Sequence, residues 1–220
     1  MGIFSVFTSG YSWQMMIIIL LAYLISIVVA IVSHEYAHAF VAHKNGDDTA
    51  KIMGRMTLNP SAHFDLMGFL FLLLVGFGWA KPVPVDERNF RNIKKGRVLV
   101  GLSGILTNIV LGIVCTFLYV LFYNILDTSV YFCMFVVILF QYMALINMML
   151  AIFNLLPIYP LDGFNMLTTF TRPNNKFVNF MYRYGSLVLI LLLLVGLGYG
   201  LTYLVSLMFN GMVNLFMLMF

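Results

Sequence analysis

Four apolar stretches, each long enough to cross a bilayer, restrict the fold of this chain more than any other feature. They cover residues 13–40, 98–124, 130–155 and 186–208, and a helix of about 20 apolar residues spans the hydrocarbon core. Hydrophobic residues make up 62% of the chain and charged residues only 9%, whereas soluble domains carry about 25% charge. We therefore expect an all-α, multi-pass membrane protein of about four transmembrane helices, folded as one domain over residues 1–220.

A fifth apolar stretch, residues 66–79, is too short for an ordinary span. We expect it to be a re-entrant or membrane-surface element, whose backbone is satisfied by protein or water. The β-compatible composition of 50–65 and 66–85 predicts some β structure there, able to pair with an extended peptide.

Basic residues are distributed along the chain in a way that predicts orientation. If 66–79 returns to the side it left, all 12 Lys and Arg fall on one side, within 44–55, 81–97 and 172–183. The positive-inside rule then places both termini outside and the long loops in the cytoplasm of a cell carrying this protein in its membrane. The net charge of +4 is explained in this way, and we expect no nucleic-acid partner.

The sequence His34-Glu35-Tyr36-Ala37-His38 stands at the end of the first apolar stretch. Imidazoles four residues apart share one face of a helix and can bind one metal ion, while the carboxylate beside the first can reach a metal-bound water. Zinc lowers the pKa of such a water from about 16 to about 7, so Glu35 can take its proton. The pattern predicts zinc-dependent hydrolysis within a membrane.

A catalytic zinc ion usually has three protein ligands, so a third is needed. Of the eight acidic residues, only Glu35 and Asp162 lie in otherwise apolar sequence. Asp162 follows Pro157 and Pro160, which disfavour helix, and precedes Gly163, which permits a tight turn. Because a lone carboxylate at membrane depth is costly and a divalent cation offsets that cost, we predict that Asp162 completes the site with one Zn²⁺ per chain.

With these residues in place, the chain resembles the site-2 protease family of intramembrane zinc metalloproteases over about residues 15–185. The likeness rests on His34 to His38, on Asn154-Leu-Leu-Pro-Ile-Tyr-Pro-Leu-Asp162-Gly163, and on loop segments beginning at Gly54 and Gly76. It implies that His34, His38 and Asp162 bind zinc, that Glu35 is the catalytic glutamate, and that the substrate is a transmembrane protein or peptide in the lipid bilayer.

Several polar residues have roles that the sequence leaves open. Where the family commonly has Gly-Pro followed shortly by Asn, this chain reads Ser103-Gly104-Ile105-Leu106-Thr107-Asn108. We take Asn108 as a candidate catalytic residue that stabilises the oxyanion or holds the substrate backbone, with bonding between helices as the alternative. The same choice between site and scaffold applies to His63, Asn147 and Asn154, and His43 is expected to face solvent.

Two other functions compete with the protease. Intramembrane His, Glu and Asp also mark ion pathways, which fits a divalent-metal transporter; such a protein often shows paired repeats, and neither motif recurs here. A catalytically inactive membrane scaffold is the third possibility. The intact ligand set and glutamate favour the protease, while oligomeric state and regulation have no signal in the sequence.

Overall fold

The structure is a computed structural model that describes residues 10–68, 78, 80–172 and 174–220. Its described part is helical, with two short 3-10 turns at Pro60–Ala62 and Glu87–Asn89. The α-helices are α1 (Trp13–Lys44), α2 (Thr49–Ile52), α3 (Ile93–Ile125), α4 (Tyr131–Asn154), α5 (Asp162–Phe170), α6 (Lys176–Val195) and α7 (Leu197–Met217).

Helices α1, α3 and α4 pack against one another and form the centre of the molecule, and α7 packs on α3 and α4. Small and polar side chains lie where the central helices meet: Ala30, Asn108, Ala144 and Asn147 are each fully buried. Small residues permit close approach of membrane helices, and buried amides can bond between them. The outward faces stay apolar, as expected for contact with lipid.

Within the described part of the chain, five helices are long and apolar enough to cross a membrane: α1, α3, α4, α6 and α7. The first three agree with the predicted spans within about five residues. Helix α3 begins earlier than predicted, at Ile93, because Asn92 caps it by accepting a hydrogen bond from the Lys95 backbone N–H at 3.0 Å. A multi-pass membrane protein is thus confirmed.

The prediction of about four spans is wrong at the C-terminal end. The predicted span 186–208 is divided by Gly196, whose φ of +119° ends α6 in the left-handed conformation. Glycine adopts this conformation at little cost and commonly terminates helices. Two helices therefore take the place of one, and the clustering of Gly196, Gly198 and Gly200 within apolar sequence was the available signal.

The predicted β structure is also wrong for the part of the chain that the structure describes. Within 50–68 and 80–85 the chain forms the end of α2, a 3-10 turn, a few helical residues at 66–68 and irregular backbone, without a strand. Pro82 and Pro84 lack an N–H for a ladder, which fits this outcome. Most of the predicted 66–79 element lies outside the described residues.

Two connecting segments bring polar groups of the candidate site to the central helices. The segment 80–92 runs back along the end of α1, where the Arg91 N–H donates to the Asn45 carbonyl at 2.9 Å. The turn 155–161 leads from α4 into α5 and packs on α6 through an apolar cluster. That cluster consists of Ile158, Leu161, Phe164, Val178, Met181 and Leu189.

Candidate metal centre

His34, His38 and Asp162 bring three ligand atoms together at the junction of α1, α3 and α5. The two histidine Nε2 atoms are 2.9 Å apart. Asp162 Oδ2 lies 3.1 Å from His34 Nε2 and 3.2 Å from His38 Nε2. Both imidazoles are buried, with 5% and 8% of their surface exposed. Two residues of one helix and the first residue of another thus share one small site.

The dimensions and chemistry of this cluster fit a zinc ion. Tetrahedral zinc with bonds of about 2.0–2.1 Å separates its ligands by about 3.3 Å, and the observed triangle is only a few tenths of an ångström tighter. Asp162 Oδ2 is buried and makes no hydrogen bond. A buried carboxylate oxygen without a donor is unfavourable, and a cation bound by these three atoms removes the penalty.

The opposite ring nitrogens fix the tautomer of each histidine. His34 Nδ1 lies 2.6 Å from Asn108 Oδ1, and His38 Nδ1 lies 2.7 Å from the Val100 carbonyl oxygen. A carbonyl oxygen only accepts, so each Nδ1 carries the proton and each Nε2 presents its lone pair to the cluster. Such outer partners orient metal-binding histidines and raise their basicity.

Helix α3 reaches the histidines because it has a glycine at the point of contact. A Cβ placed on Gly104 would lie 2.5 Å from His34 Cε1 and 2.7 Å from both ring nitrogens. No side chain fits at that distance, so Gly104 is required for the observed packing of α3 on the His34 ring. Position 105, where the family proline is replaced by Ile105, lies within the continuous helix α3 and is buried.

Both the nitrogen and the oxygen of the Asn108 amide are hydrogen-bonded within the helix bundle. Its Nδ2 donates to the Ala30 carbonyl at 3.2 Å and to Asn147 Oδ1 at 2.7 Å, while its Oδ1 accepts from His34. Asn147 in turn donates to the Met143 carbonyl at 2.7 Å. The side chain predicted to contact substrate is fully buried, and its contacts are those of a residue that positions His34 and joins α1, α3 and α4.

Glu35 lies beside the cluster, with one oxygen held by the loop that crosses it. The backbone N–H of Val83 donates to Glu35 Oε2 at 2.7 Å. Glu35 is half-buried. Because it follows His34 directly and precedes His38 by three residues, its side chain is rotated around the α1 axis by about 100° from His34 and about 60° from His38. The loop 80–86 therefore covers the face of α1 on which Glu35 lies.

Two buried side chains anchor this loop. Arg55 Nη2 donates to the carbonyls of Lys81 and Pro82 at 2.8 and 3.2 Å. Asp47 Oδ2 accepts from the Asp86 N–H at 2.8 Å, and its Oδ1 accepts from the Asn89 amide at 2.9 Å. No sequence pattern sets Asp47 apart from the other acids outside the apolar stretches, and only its complete burial distinguishes it.

The pKa of the Asp47 carboxyl reflects this environment. Burial by itself raises the pKa, but hydrogen bonds from the Thr49 and Asn89 side chains and from the backbone of Asp86 and Thr49 outweigh it and lower the pKa overall. The ionised carboxylate is thus the form that holds the loop. Near it, the Arg88 side chain lowers the pKa of Asp86 to about 2, so both acids are charged at neutral pH.

The remaining polar residues lie apart from the cluster. His43 pairs with Asp48, with Nδ1 2.5 Å from Oδ1, near the end of α1. Asn154 donates to the Leu150 carbonyl of its own helix at 3.0 Å. His63 is buried, and its Nε2 lies 2.8 Å from the Thr57 carbonyl oxygen. None of the three belongs to the group of ligand atoms found among the described residues.

Comparison with known proteins agrees with this site. The profile of Peptidase family M50 matches residues 22–139 and 123–193, which include all three ligand candidates and Glu35. The chain belongs to peptidase family M50. The resemblance to the site-2 proteases is therefore confirmed. The prediction of a zinc metalloprotease with several membrane-spanning helices is confirmed as well.

Two curated relatives of this M50 protein carry names of the same kind. It is 38% identical to "Putative zinc metalloprotease YwhC" of Bacillus subtilis over 79% of its own length and 80% of that protein. It is 26% identical to "Putative zinc metalloprotease Rip2" of Mycobacterium tuberculosis over 67% of its own length and 56% of Rip2. No solved structure matches the chain.

Proposed function

We propose that this M50 protein binds one zinc ion through His34, His38 and Asp162 and hydrolyses peptide bonds in or near transmembrane segments of membrane proteins. The convergence of three ligand atoms within about 3 Å of one another, on helices that can cross a membrane, is the observation that carries the proposal. Membership in the M50 family favours proteolysis over metal transport and over an inactive scaffold.

When bound, zinc supplies a Lewis acid that polarises the scissile carbonyl and acidifies the attacking water. Glu35 takes one proton from that water as its oxygen bonds to the carbonyl carbon, and it passes the proton to the amide nitrogen as the C–N bond breaks. The Val83 N–H holds Glu35 Oε2 and so orients the carboxylate. Asn108 fixes the His34 ring and takes part as a positioning residue.

The substrate is proposed to be a transmembrane segment that enters from the bilayer and unwinds beside α1. A helix bonds its carbonyls internally, so a helical segment has to open before attack. Eleven of the 12 Lys and Arg lie within 44–97 and 172–176, and the positive-inside rule favours the cytoplasmic side for these segments. With α6 and α7 each crossing the membrane, the proposed orientation keeps the N-terminus outside and puts the C-terminus in the cytoplasm, which differs from the sequence prediction of both termini outside.

A Glu35→Gln variant tests the proposal in proteoliposomes with a membrane-anchored reporter. Because the amide keeps an oxygen for the Val83 N–H and the ligands are untouched, one zinc ion per chain is expected to remain while cleavage falls by about 100-fold or more. Zinc is measured by mass spectrometry and cleavage by gel shift. The matched control is Glu87→Gln, the only other glutamate of the chain, which should retain cleavage.

Three results would contradict the proposal in different ways. Full cleavage by the Glu35→Gln form removes Glu35 from the chemistry. Wild-type protein that stays metal-free under zinc supplementation removes the ligand set. Zinc uptake into sealed vesicles, without proteolysis, would support the divalent-metal transporter instead of the protease.

A further inference from the structure

A cleft lies against the face of α1 that carries Glu35, next to residues that precede the metal ligands in the helix. It has a volume of about 90 Å³, which is room for about three water-sized groups. Its apolar wall includes Ile27, Val28, Ile31, Val32, Pro60 and Ala80. Among the described residues, the polar side chains that line it are His63 and Asp65.

This cleft lies on the same face of α1 as Glu35. Val28, Ile31 and Val32 precede Glu35 by seven, four and three residues, so they share its face of α1. The opposite wall includes Ala80, in the loop whose Val83 N–H donates to Glu35. The Lys81 N–H also donates to the His63 carbonyl at 3.0 Å, which ties this wall to the loop. A peptide reacting beside Glu35 would place a neighbouring side chain in the cleft.

The hydrogen bonding of His63 determines what the cleft can recognise. Its Nε2 lies 2.8 Å from the Thr57 carbonyl oxygen, so in the neutral ring Nε2 carries the proton and Nδ1 is an acceptor. His63 is only 2% exposed, and Nδ1 is buried without a hydrogen-bond partner. A buried acceptor without a donor is unfavourable, and an arriving donor removes that penalty.

The second polar group of the cleft is an acceptor as well. Asp65 Oδ1 accepts from the Gly68 backbone N–H at 2.7 Å, and its carboxylate leaves further lone pairs. Two acceptors within an apolar wall favour a ligand that brings an O–H or N–H, and they disfavour an acidic side chain, whose burial next to Asp65 is repulsive.

We propose that this cleft is a substrate subsite in which His63 Nδ1 accepts a hydrogen bond from the unwound substrate, preferring a small donor side chain such as Ser, Thr or Asn near the scissile bond. The inference rests on the proposed protease function and names the substrate feature it reads. Its apolar walls bury the methylene or methyl group of such a side chain, and its acceptor selects the donor.

The test compares two substitutions that distinguish the roles of the two ring nitrogens of His63. His63→Gln places an amide nitrogen near the position of Nε2, which keeps the bond to Thr57 but removes the acceptor at Nδ1. His63→Asn places an amide oxygen near the position of Nδ1, which keeps that acceptor but gives up the bond to Thr57. Each variant is assayed in proteoliposomes on a reporter whose residues around the cleavage site are changed one at a time between Ser and Ala and between Thr and Val.

The wild type is expected to cleave the Ser or Thr form about 10-fold faster than its isostere at one position, as a rise in KM for the isostere with little change in kcat. The Gln form should lose that preference and the Asn form should keep it. A uniform loss with the Gln form at every position, including all-apolar reporters, assigns the donor to the substrate backbone instead of a side chain.

The outcomes separate this subsite from the protease itself. A Gln form with the wild-type preference, or an Asn form that loses it while the Gln form keeps it, overturns the subsite and leaves His63 as a loop brace. Failure of the wild type to cleave any reporter refutes the proposed function and the subsite with it. Zinc content of all three forms should stay at the wild-type level, because His63 lies outside the ligand set.

Discussion

The metal centre is built from two halves that are held in different ways. The helix half consists of His34 and His38 on α1 with Asn108 and Val100 on α3, where every polar contact lies inside packed helices. The loop half consists of Asp162 at the end of the turn 155–161 and of Val83 in the segment 80–86. Its positions depend on anchors outside the site, namely the apolar cluster against α6 and the side chains of Asp47 and Arg55.

The histidine ligands and the segment 80–86 that orients Glu35 therefore depend on different contacts. The helix half cannot move without opening the core, because Gly104 lies directly against the His34 ring and protein interiors are close-packed. The segment 80–86 of the loop half can shift when a few hydrogen bonds are released, each worth about 0.5–1.5 kcal/mol net. We infer that damage to the helix half removes zinc, whereas damage to the anchors of 80–86 misplaces Glu35 and the cleft while zinc stays bound.

Removing one ligand from each half should give the largest effects. His38→Ala and Asp162→Ala are each expected to weaken zinc binding and cleavage by more than about 100-fold, since loss of even an outer partner of a ligand costs about 10–100-fold. Zinc binding is measured by equilibrium dialysis against a zinc chelator, and cleavage is measured with the membrane-anchored reporter. The control Asp127→Ala changes an acid in the turn between α3 and α4 and should do neither. Full zinc occupancy in Asp162→Ala would show that Asp162 is not a zinc ligand and that the loop half supplies none.

A methyl group at the contact between α3 and His34 tests the rigidity of the helix half. Gly104→Ala puts a carbon about 2.5 Å from His34 Cε1, so we expect zinc affinity to fall by about 10–100-fold while the helical content seen by circular dichroism is retained. Gly101→Ala is the matched control: its new methyl group meets the flexible Met166 side chain at 2.7 Å, which can move. Equal loss in both variants would show that general crowding of α3, and not displacement of His34, is responsible.

Removing the amide behind His34 should have a smaller effect of the same kind. Asn108→Ala frees His34 Nδ1 and leaves Asn147 Oδ1 without its donor, and we expect about a 10-fold loss of zinc affinity with a parallel loss of kcat/KM. Asn124→Ala, on the same helix but bonded to the Val120 carbonyl, is the control. Unchanged zinc affinity with a loss confined to kcat would instead return Asn108 to the oxyanion role.

The helix half was predictable because its information is local. The spacing of His34 and His38 fixes a shared face whatever the rest of the chain does, and the apolar run before them indicates the membrane. Asp162 was also found, since a lone acid in apolar sequence needs a partner. Their geometry agrees with the prediction, while their roles as ligands stay a prediction.

Contacts between distant segments could not be predicted in the same way. The Val83 N–H on Glu35 and the Val100 carbonyl on His38 are backbone groups, which any residue supplies and no sequence pattern marks. Asp47 and Asp48 are neighbours of the same type, yet one is fully buried and the other exposed. The division of 186–208 at Gly196 was missed because hydropathy counts composition and gives no weight to a left-handed residue.

The smallest predicted effect concerns the anchor of the loop half. Asp47→Asn keeps one carbonyl oxygen but loses the charge that accepts from Asp86, Thr49 and Asn89. We expect about 1–2 kcal/mol of destabilisation and a loss in kcat of several-fold, with zinc content unchanged. Asp48→Asn is the matched control, since that neighbour is exposed and, among the hydrogen bonds found for described residues, its side chain bonds only to His43.

The pH dependence of stability gives this last prediction its sharpest form. Since hydrogen bonding lowers the pKa of Asp47 in the folded chain, its contribution is complete above the unfolded-state pKa of about 3.9 and is lost as the pH falls through the folded-state pKa. Thermal unfolding in detergent between about pH 3 and 6 should show a steeper acid limb in the wild type and in Asp48→Asn than in Asp47→Asn. Parallel curves for Asp47→Asn and wild type would mean that the carboxylate does not hold the loop, and the separation of the site into a rigid half and an anchored half would fail at its loop side.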